Sequence, residues 1–232
     1  MWWMQIAAAI FSTAVVSYLL GSVDFAILVT KLMTGKDIRD YGSGNAGMTN
    51  VLRVVGVGAA VLTAVGDLGK GIGAALLGRY IFSLVPMEVL SQSGLYAFLD
   101  GGMYVGIVFA MLGHMFPIYF HFRGGKGILV CAGAILIMDW RVFVTIVGIF
   151  LITVLITRYV SLGSILATIG YPTFTCIYQC IDGVFAPVQI LSNTLLAAAV
   201  AAVVIFMHRA NIQRLLKGTE NKLGQSKGEK VI

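Results

Sequence analysis

The sequence predicts an all-α fold: a polytopic membrane helix bundle of seven transmembrane helices, one domain over residues 1–232, with the N-terminus outside and the C-terminus cytoplasmic. Three observations predict it. First, 59% of the residues are hydrophobic and only 11% are charged, against about 25% charged in an ordinary soluble domain. A globule of this size has too little polar surface to cover that much apolar mass. Second, the apolar residues fall in runs, most of them close to the roughly 20 residues that cross a ~30 Å hydrocarbon core. Third, the cations sit between the runs and collect on one side. A soluble enzyme, a disordered chain and a disulfide-stapled secreted module are thereby excluded.

The first run, 4–23, has no cationic segment before it and no clean small-residue cleavage site after it, so it reads as a span with Trp2 and Trp3 as an interfacial anchor. Further runs cover 54–79, 97–120, 127–139, 141–157, 162–181 and 187–207. The run 127–139 is short: a thin span, a re-entrant segment or one arm of a helical hairpin turning at Asp139-Trp140-Arg141. With seven spans, Lys31, Lys36, Arg39, Arg53, Arg123, Lys126 and Arg158 lie inside, followed by Arg209, Arg214, Lys217, Lys222, Lys227 and Lys230. Only Arg79 and Arg141 lie outside, and Lys70 falls within a span. That is a strong positive-inside bias. It also accounts for the net charge of +6 without nucleic acid as a partner.

The dense polar motifs all fall on the inside face. Tyr41-Gly-Ser-Gly-Asn-Ala-Gly-Met-Thr-Asn50 offers converging backbone N–H groups at Gly44 and Gly47, neutral hydrogen-bonding groups at Ser43, Asn45, Thr49 and Asn50, and Arg53 as a fork for phosphate. A tight glycine turn alone needs none of those side chains. The motif is expected to feed the N-terminal end of the second span, where a helix dipole favours an anion. Arg123-Gly124-Gly125-Lys126-Gly127 follows a proline that breaks the third span at Pro117. It lacks the Walker spacing, since Lys126 is followed by Gly127, so an ATPase is excluded on its own motif. Arg158, Ser161 and Ser164 line the turn after the fifth span, where serines are usually helix caps. His208 and Asn211 share a helix face at the inner end of the last span, ahead of a basic tail over about 209–232 that is suited to anionic lipid. Asp67 and Lys70 lie three apart inside the second span, either as a structural ion pair or as support for the inside site. Cys131, Cys176 and Cys180 read as buried thiols, with no companion ligands for a metal. No metal and no cofactor are expected.

Taken in order, Gly42-Ser-Gly-Asn-Ala-Gly-Met-Thr-Asn50 with Arg53, Gly113-His-x-x-Pro117 with Arg123-Gly-Gly-Lys126, Arg158-Tyr-Val-Ser161, and His208-Arg-x-Asn211 with Gly218-Thr-Glu220 closely resemble the bacterial acyl-phosphate:glycerol-3-phosphate acyltransferases, the PlsY family. The resemblance runs from the first span to the tail. It implies transfer of a fatty acyl group from acyl phosphate to the 1-hydroxyl of glycerol 3-phosphate. The products would be lysophosphatidic acid and inorganic phosphate, in the first step of bacterial phospholipid biosynthesis. It also implies a multi-pass protein of the bacterial inner membrane, an active site facing the cytoplasm, and a hand-off from the enzyme that makes acyl phosphate. By position, the resemblance assigns catalytic roles to Ser43, Arg53, His208 and Asn211, and glycerol 3-phosphate binding to Gly124, Gly125 and Lys126. It gives a structural role to Glu220 and a site role to Ser164 or Ser161.

An activated donor needs positioning and charge stabilisation more than a strong nucleophile. The acceptor of the attacking hydroxyl's proton is either His208 or a substrate phosphate oxygen. The rival class is a phosphate-ester transporter or anion channel. Such proteins hold their site near the membrane midplane between paired repeats, whereas here the polar motifs gather at one surface and no repeat is evident.

Overall fold

The computed structural model describes residues 2–86, 88–89 and 101–224. Helix α1 (Trp2–Gly21) is followed by α2 (Phe25–Thr34), a 3-10 turn (Ile38–Asp40), α3 (Met48–Val54) and α4 (Val57–Ser83). Then come α5 (Gly101–Met115), a second 3-10 turn (Ile118–Phe120), α6 (Ile128–Met138) and α7 (Trp140–Thr157). Helices α8 (Val160–Asp182), α9 (Pro187–Met207) and α10 (Arg209–Leu216) complete the described chain. Among the described residues there is no strand. Six helical stretches are long and apolar enough to cross a membrane, and α6 is a shorter apolar helix. The sequence placed the third span from 97, but 97–100 lie outside the described residues, as does the side chain of Trp2; Trp3 is exposed.

Two packed groups make the bundle: α1, α4, α5 and α6, and α7, α8 and α9, joined where α6 meets α7. Water-hating burial cannot drive helices together in lipid, so close backbone approach does. A Cβ on Gly71 of α4 would collide with the Val130 carbonyl of α6, and one on Gly133 of α6 with the Leu68 carbonyl of α4. The two glycines let these helices touch at two successive turns. Between the groups lies a core of Ile107, Met111, Val130, Ile135, Val142, Tyr171 and Val200.

The first run does not continue as one helix. It breaks at residues 22–24, and Asp24 caps α2 by accepting from the Ile27 N–H at 3.2 Å. The break leaves carbonyls at the end of α1 and within the break without helical partners. Lys70 Nζ takes up two of them, Gly21 O at 3.1 Å and Val23 O at 2.8 Å. It also pairs with Asp67 at 3.0 Å and donates to His114 Nδ1 at 2.8 Å. Lys70 is therefore the mortar of this break, its ammonium satisfied on several sides as burial requires.

Helices α2 and α3 pack on α4 through Ile27, Ile38, Val51, Val54 and Ala60, forming a collar at one end of the bundle. The polar loop 41–47 leads into the seven-residue α3 and not directly into the second span, which corrects the sequence expectation. The reason is Val55-Gly56: Gly56 sits at φ +120°, a conformation open chiefly to glycine, and turns the chain between α3 and α4. At the opposite end Asp139 caps α7, and Arg141 is clamped between Asp139 and Asp182 at 2.7–2.8 Å.

Helix α6 has 11 residues and its hairpin partner α7 has 18. At 1.5 Å per residue α6 begins about 10 Å deeper in the bundle than α7 ends. The Gly124–Gly127 loop is thus recessed below the collar, and this recess is why the run looked too short.

Candidate active site

A cavity of about 660 Å³ opens at the collar end. Its mouth is built from four places in the chain. The loop after the first 3-10 turn and the α3 that follows it contribute Ser43, Gly44, Asn45 and Gly47, then Thr49, Asn50 and Arg53. The recessed loop contributes Lys126 and Gly127, α8 contributes Ser161 and Ser164, and the α9–α10 junction contributes His208, Asn211 and Arg214, with Glu220 beyond it. Asp67 and His114 reach it from α4 and α5. Below the mouth the walls are apolar: Cys131, Ile135, Ile146, Phe150, Ala167, Tyr171, Ala201 and Val204.

The loop is shaped by Asn50. Its Oδ1 accepts from the Ser43 N–H at 2.9 Å, and its Nδ2 donates to the Tyr41 carbonyl at 3.0 Å and the Ile38 carbonyl at 3.3 Å. Asn50 is buried, so its amide holds the loop while Ser43, exposed beside it, lines the mouth. Arg53 is half-buried and has no carboxylate partner among the described residues, which leaves its fork available to an anion.

Lys126 donates to Asn211 Oδ1. The other end of that amide donates to Glu220 Oε1 at 2.8 Å. Glu220 Oε1 also accepts from Ser161 Oγ at 3.0 Å, and Oε2 pairs with Arg214 Nε at 2.7 Å. One buried carboxylate thus ties α8, α10 and the recessed loop together. Burial lowers the Lys126 ammonium to about 8, with the Glu220 charge opposing that shift. His208 Nδ1 lies 2.8 Å from the Val204 carbonyl. A carbonyl only accepts, so Nδ1 carries the hydrogen and a neutral ring leaves Nε2 as an acceptor. Burial and the nearby Lys126 charge push His208 down to about 4, so the ring is neutral at pH 7.

Of the residues that the sequence singled out, Arg123, Gly124, Gly125 and Arg158 do not line the cavity. Gly124 and Gly125 donate their N–H groups to the Met115 and His114 carbonyls at 3.1 and 3.0 Å. A Cβ on Gly125 would strike the His114 ring and the Ala46 carbonyl. The glycines let the recessed loop pass between His114 and the Ser43 loop. The Arg123 carbonyl accepts from Arg39 Nη1 at 3.0 Å, and its own side chain is exposed. Arg158 ends α7 at φ +63° and grips the tail: its Nη2 donates to the Leu223 carbonyl at 2.9 Å, and its carbonyl accepts from the Leu223 N–H at 2.7 Å. Ser161 bonds Glu220, whereas Ser164 returns its hydroxyl to the Val160 carbonyl at 3.0 Å. The tail that the sequence left to lipid is ordered by these contacts as far as Gly224; 225–232 lie outside the described residues.

Sequence reasoning did not place Arg214 or His114 at the cavity; Asp67, left open between an ion pair and support for the site, both pairs with Lys70 and lines the cavity. A signal existed for Arg214, which continues the three-residue spacing of His208 and Asn211 along one helix face. Among the described residues no three histidine, cysteine or carboxylate groups gather to hold a metal ion.

Residues 11–218 match the sequence family described as glycerol-3-phosphate acyltransferase. A glycerol-3-phosphate acyltransferase of Clostridioides difficile (strain 630) is 39% identical over 92% of this chain and 95% of its own. One of Chlorobaculum tepidum is 37% identical over 90% and 94%. The crystal structure of PlsY, an integral membrane glycerol 3-phosphate acyltransferase, in its glycerol 3-phosphate form superposes with a TM-score of 0.74 at 33% identity, covering 94% of this chain and 96% of that one. Its lysophosphatidic acid form gives 0.71 at 32%.

Proposed function

The chain belongs to the PlsY family of integral membrane glycerol-3-phosphate acyltransferases, and from that premise we propose that it moves a fatty acyl group from acyl phosphate to the 1-hydroxyl of glycerol 3-phosphate. The products are lysophosphatidic acid and inorganic phosphate, and the step opens phospholipid synthesis in a bacterial inner membrane. The observation that carries the proposal is one cavity that joins a cationic, hydrogen-bonding mouth to an apolar shaft. Both substrates bring phosphate, and one also brings a hydrocarbon tail.

In this reading Arg53 and Lys126 hold the two phosphates, and Ser43, Thr49, Ser161 and Asn211 orient them. The tail lies along Ile135, Phe150 and Ala167. The attacking hydroxyl oxygen forms the new ester bond to the acyl carbon as the bond from that carbon to the phosphate oxygen breaks. The phosphate leaves with the electron pair. A general base works best with a pKa near the operating pH. His208 is held at about 4, while the dianion of a phosphate monoester takes up a proton near pH 6. The phosphate is therefore the better proton acceptor, and His208 Nε2 positions the hydroxyl. Arg123, Gly124, Gly125 and Arg158 serve the site by fixing the recessed loop and the tail.

Seven crossings with a cytoplasmic mouth follow from the cation bias, with α6 as a crossing shortened by its recess. A donor made in the cytoplasm would then be handed over at that face. The test uses purified protein in lipid with glycerol 3-phosphate and, in turn, palmitoyl phosphate, palmitoyl-CoA and palmitoyl carrier protein. Lysophosphatidic acid from palmitoyl phosphate alone, unaffected by EDTA, is expected. Product only from a thioester would replace the donor. Uptake of glycerol 3-phosphate into vesicles without any donor would favour a transporter instead.

A further inference from the structure

We infer that Tyr171 and Ile135 form the floor of the acyl-chain shaft and set the longest chain this protein accepts; the inference rests on the acyl transfer proposed above. A second cavity, of about 520 Å³, lies toward the opposite end of the bundle. It is bordered by Asp139, Arg141, Gln179, Asp182 and Asn193. Among the described residues only two line both cavities, Ile135 of α6 and Tyr171 of α8. Both are almost fully buried, at 2% and 3% exposure. The Tyr171 hydroxyl reaches Met138 Sδ at 3.9 Å on the far side. The ring and the isoleucine thus stand as a partition between an apolar shaft and a polar chamber.

The position of the partition has a physical meaning. Tyr171 lies ten residues along α8 from Ser161 at the mouth, or about 15 Å. That is half of the ~30 Å hydrocarbon core, the depth that one membrane-lipid chain fills. A chain that ends at the floor stays dry; a longer one must push aside a close-packed ring or enter a chamber with ionic walls. Ala167, one turn above Tyr171 on the same face, also lines the shaft.

The test measures kcat/KM of the purified protein in lipid for a series of acyl phosphates that differ by two methylenes. The wild type is expected to fall about tenfold once the chain outgrows the floor, the scale of overpacking a filled site. Tyr171→Ala should shift the optimum to longer chains, each newly buried methylene gaining about fourfold. Ala167→Phe should shift it to shorter ones. Tyr171→Phe, which keeps the ring, should leave the optimum in place. An optimum that stays put in active Tyr171→Ala and Ala167→Phe proteins would overturn the floor, as would a flat wild-type profile, which would mean that the tail runs out into lipid. Should Tyr171→Ala fail to fold, Ala167→Phe and Ile135→Ala decide the matter. A wild type inactive with every donor would refute the proposed reaction. The floor would then be read from thermal stabilisation by lysophosphatidic acids of graded length, which must peak at one length in the wild type and at another in Ala167→Phe.

Discussion

Glu220 offers the sharpest perturbation, because one carboxylate organises three site groups. Glu220→Ala removes the acceptor of Asn211 Nδ2 at 2.8 Å, of Ser161 Oγ at 3.0 Å and of Arg214 Nε at 2.7 Å. The first two donors are buried, and a hydrogen bond to a charged group contributes about 1.5–3 kcal/mol. The Arg214 side chain is 41% exposed, so its pair adds only about 0–1 kcal/mol. Allowing water to recover part of the loss leaves about 3 kcal/mol, or roughly 150-fold in kcat/KM. The loss reaches activity because the freed Asn211 amide no longer presents its oxygen to Lys126. Glu220→Gln keeps the shape and the oxygen facing Asn211 and Ser161 but sets an amide N–H against Arg214, so about tenfold is expected. It also removes the charge that opposes the fall in Lys126, so the alkaline limb of the pH profile must move below about 8. The assay is kcat/KM against pH, with thermal unfolding in detergent as the folding control. A folded Glu220→Ala protein within threefold of wild type, or a limb that moves upward in Glu220→Gln, would refute this reasoning.

Three further predictions follow from the same geometry. Lys126 loses its cation as pH rises through about 8, so kcat/KM should decline toward a tenth by about pH 9, and Lys126→Arg should flatten that limb; an unchanged limb in the arginine protein would remove Lys126 from the phosphate site. His208 titrates near 4, so no limb near the ordinary histidine value should vanish in His208→Asn, and a limb near pH 6.5 that disappears in that variant would restore histidine as the base. Lys70→Met strands Asp67 and the Gly21 and Val23 carbonyls in the membrane, so a loss of about 3–5 kcal/mol in stability is expected; Asp67→Asn added to it should recover part of the melting temperature, and a double variant no more stable than the single one would mean that the pair is not coupled.

The bundle was legible in the sequence because apolar runs and the placement of cations obey the bilayer directly. The long apolar helices were found, and so was the face on which the polar motifs gather; the short α2 and α3 of the collar were not. What escaped depends on contacts between distant segments. The first run was bounded at 23, close to the end of α1 at Gly21, but the group that stabilises the break, Lys70, lies 49 residues on. The recess of the Gly124–Gly127 loop looked like a weak span until the lengths of α6 and α7 could be compared. Arg158 reads as a phosphate ligand from its serine-rich turn, but its left-handed backbone aims the side chain at Leu223. Asn50 reads the same way; it lines the mouth and also shapes the loop that carries Ser43.

The central claim is that one cavity takes an acyl phosphate and glycerol 3-phosphate and joins them without an external base or metal. It is tested most directly by following inorganic phosphate and lysophosphatidic acid together from palmitoyl phosphate and glycerol 3-phosphate, in wild type and in Ser43→Ala. The account predicts equal amounts of the two products at every time point, and loss of both in the variant. Phosphate released without lysophosphatidic acid, or a Ser43→Ala protein that runs at the wild-type rate, would contradict it.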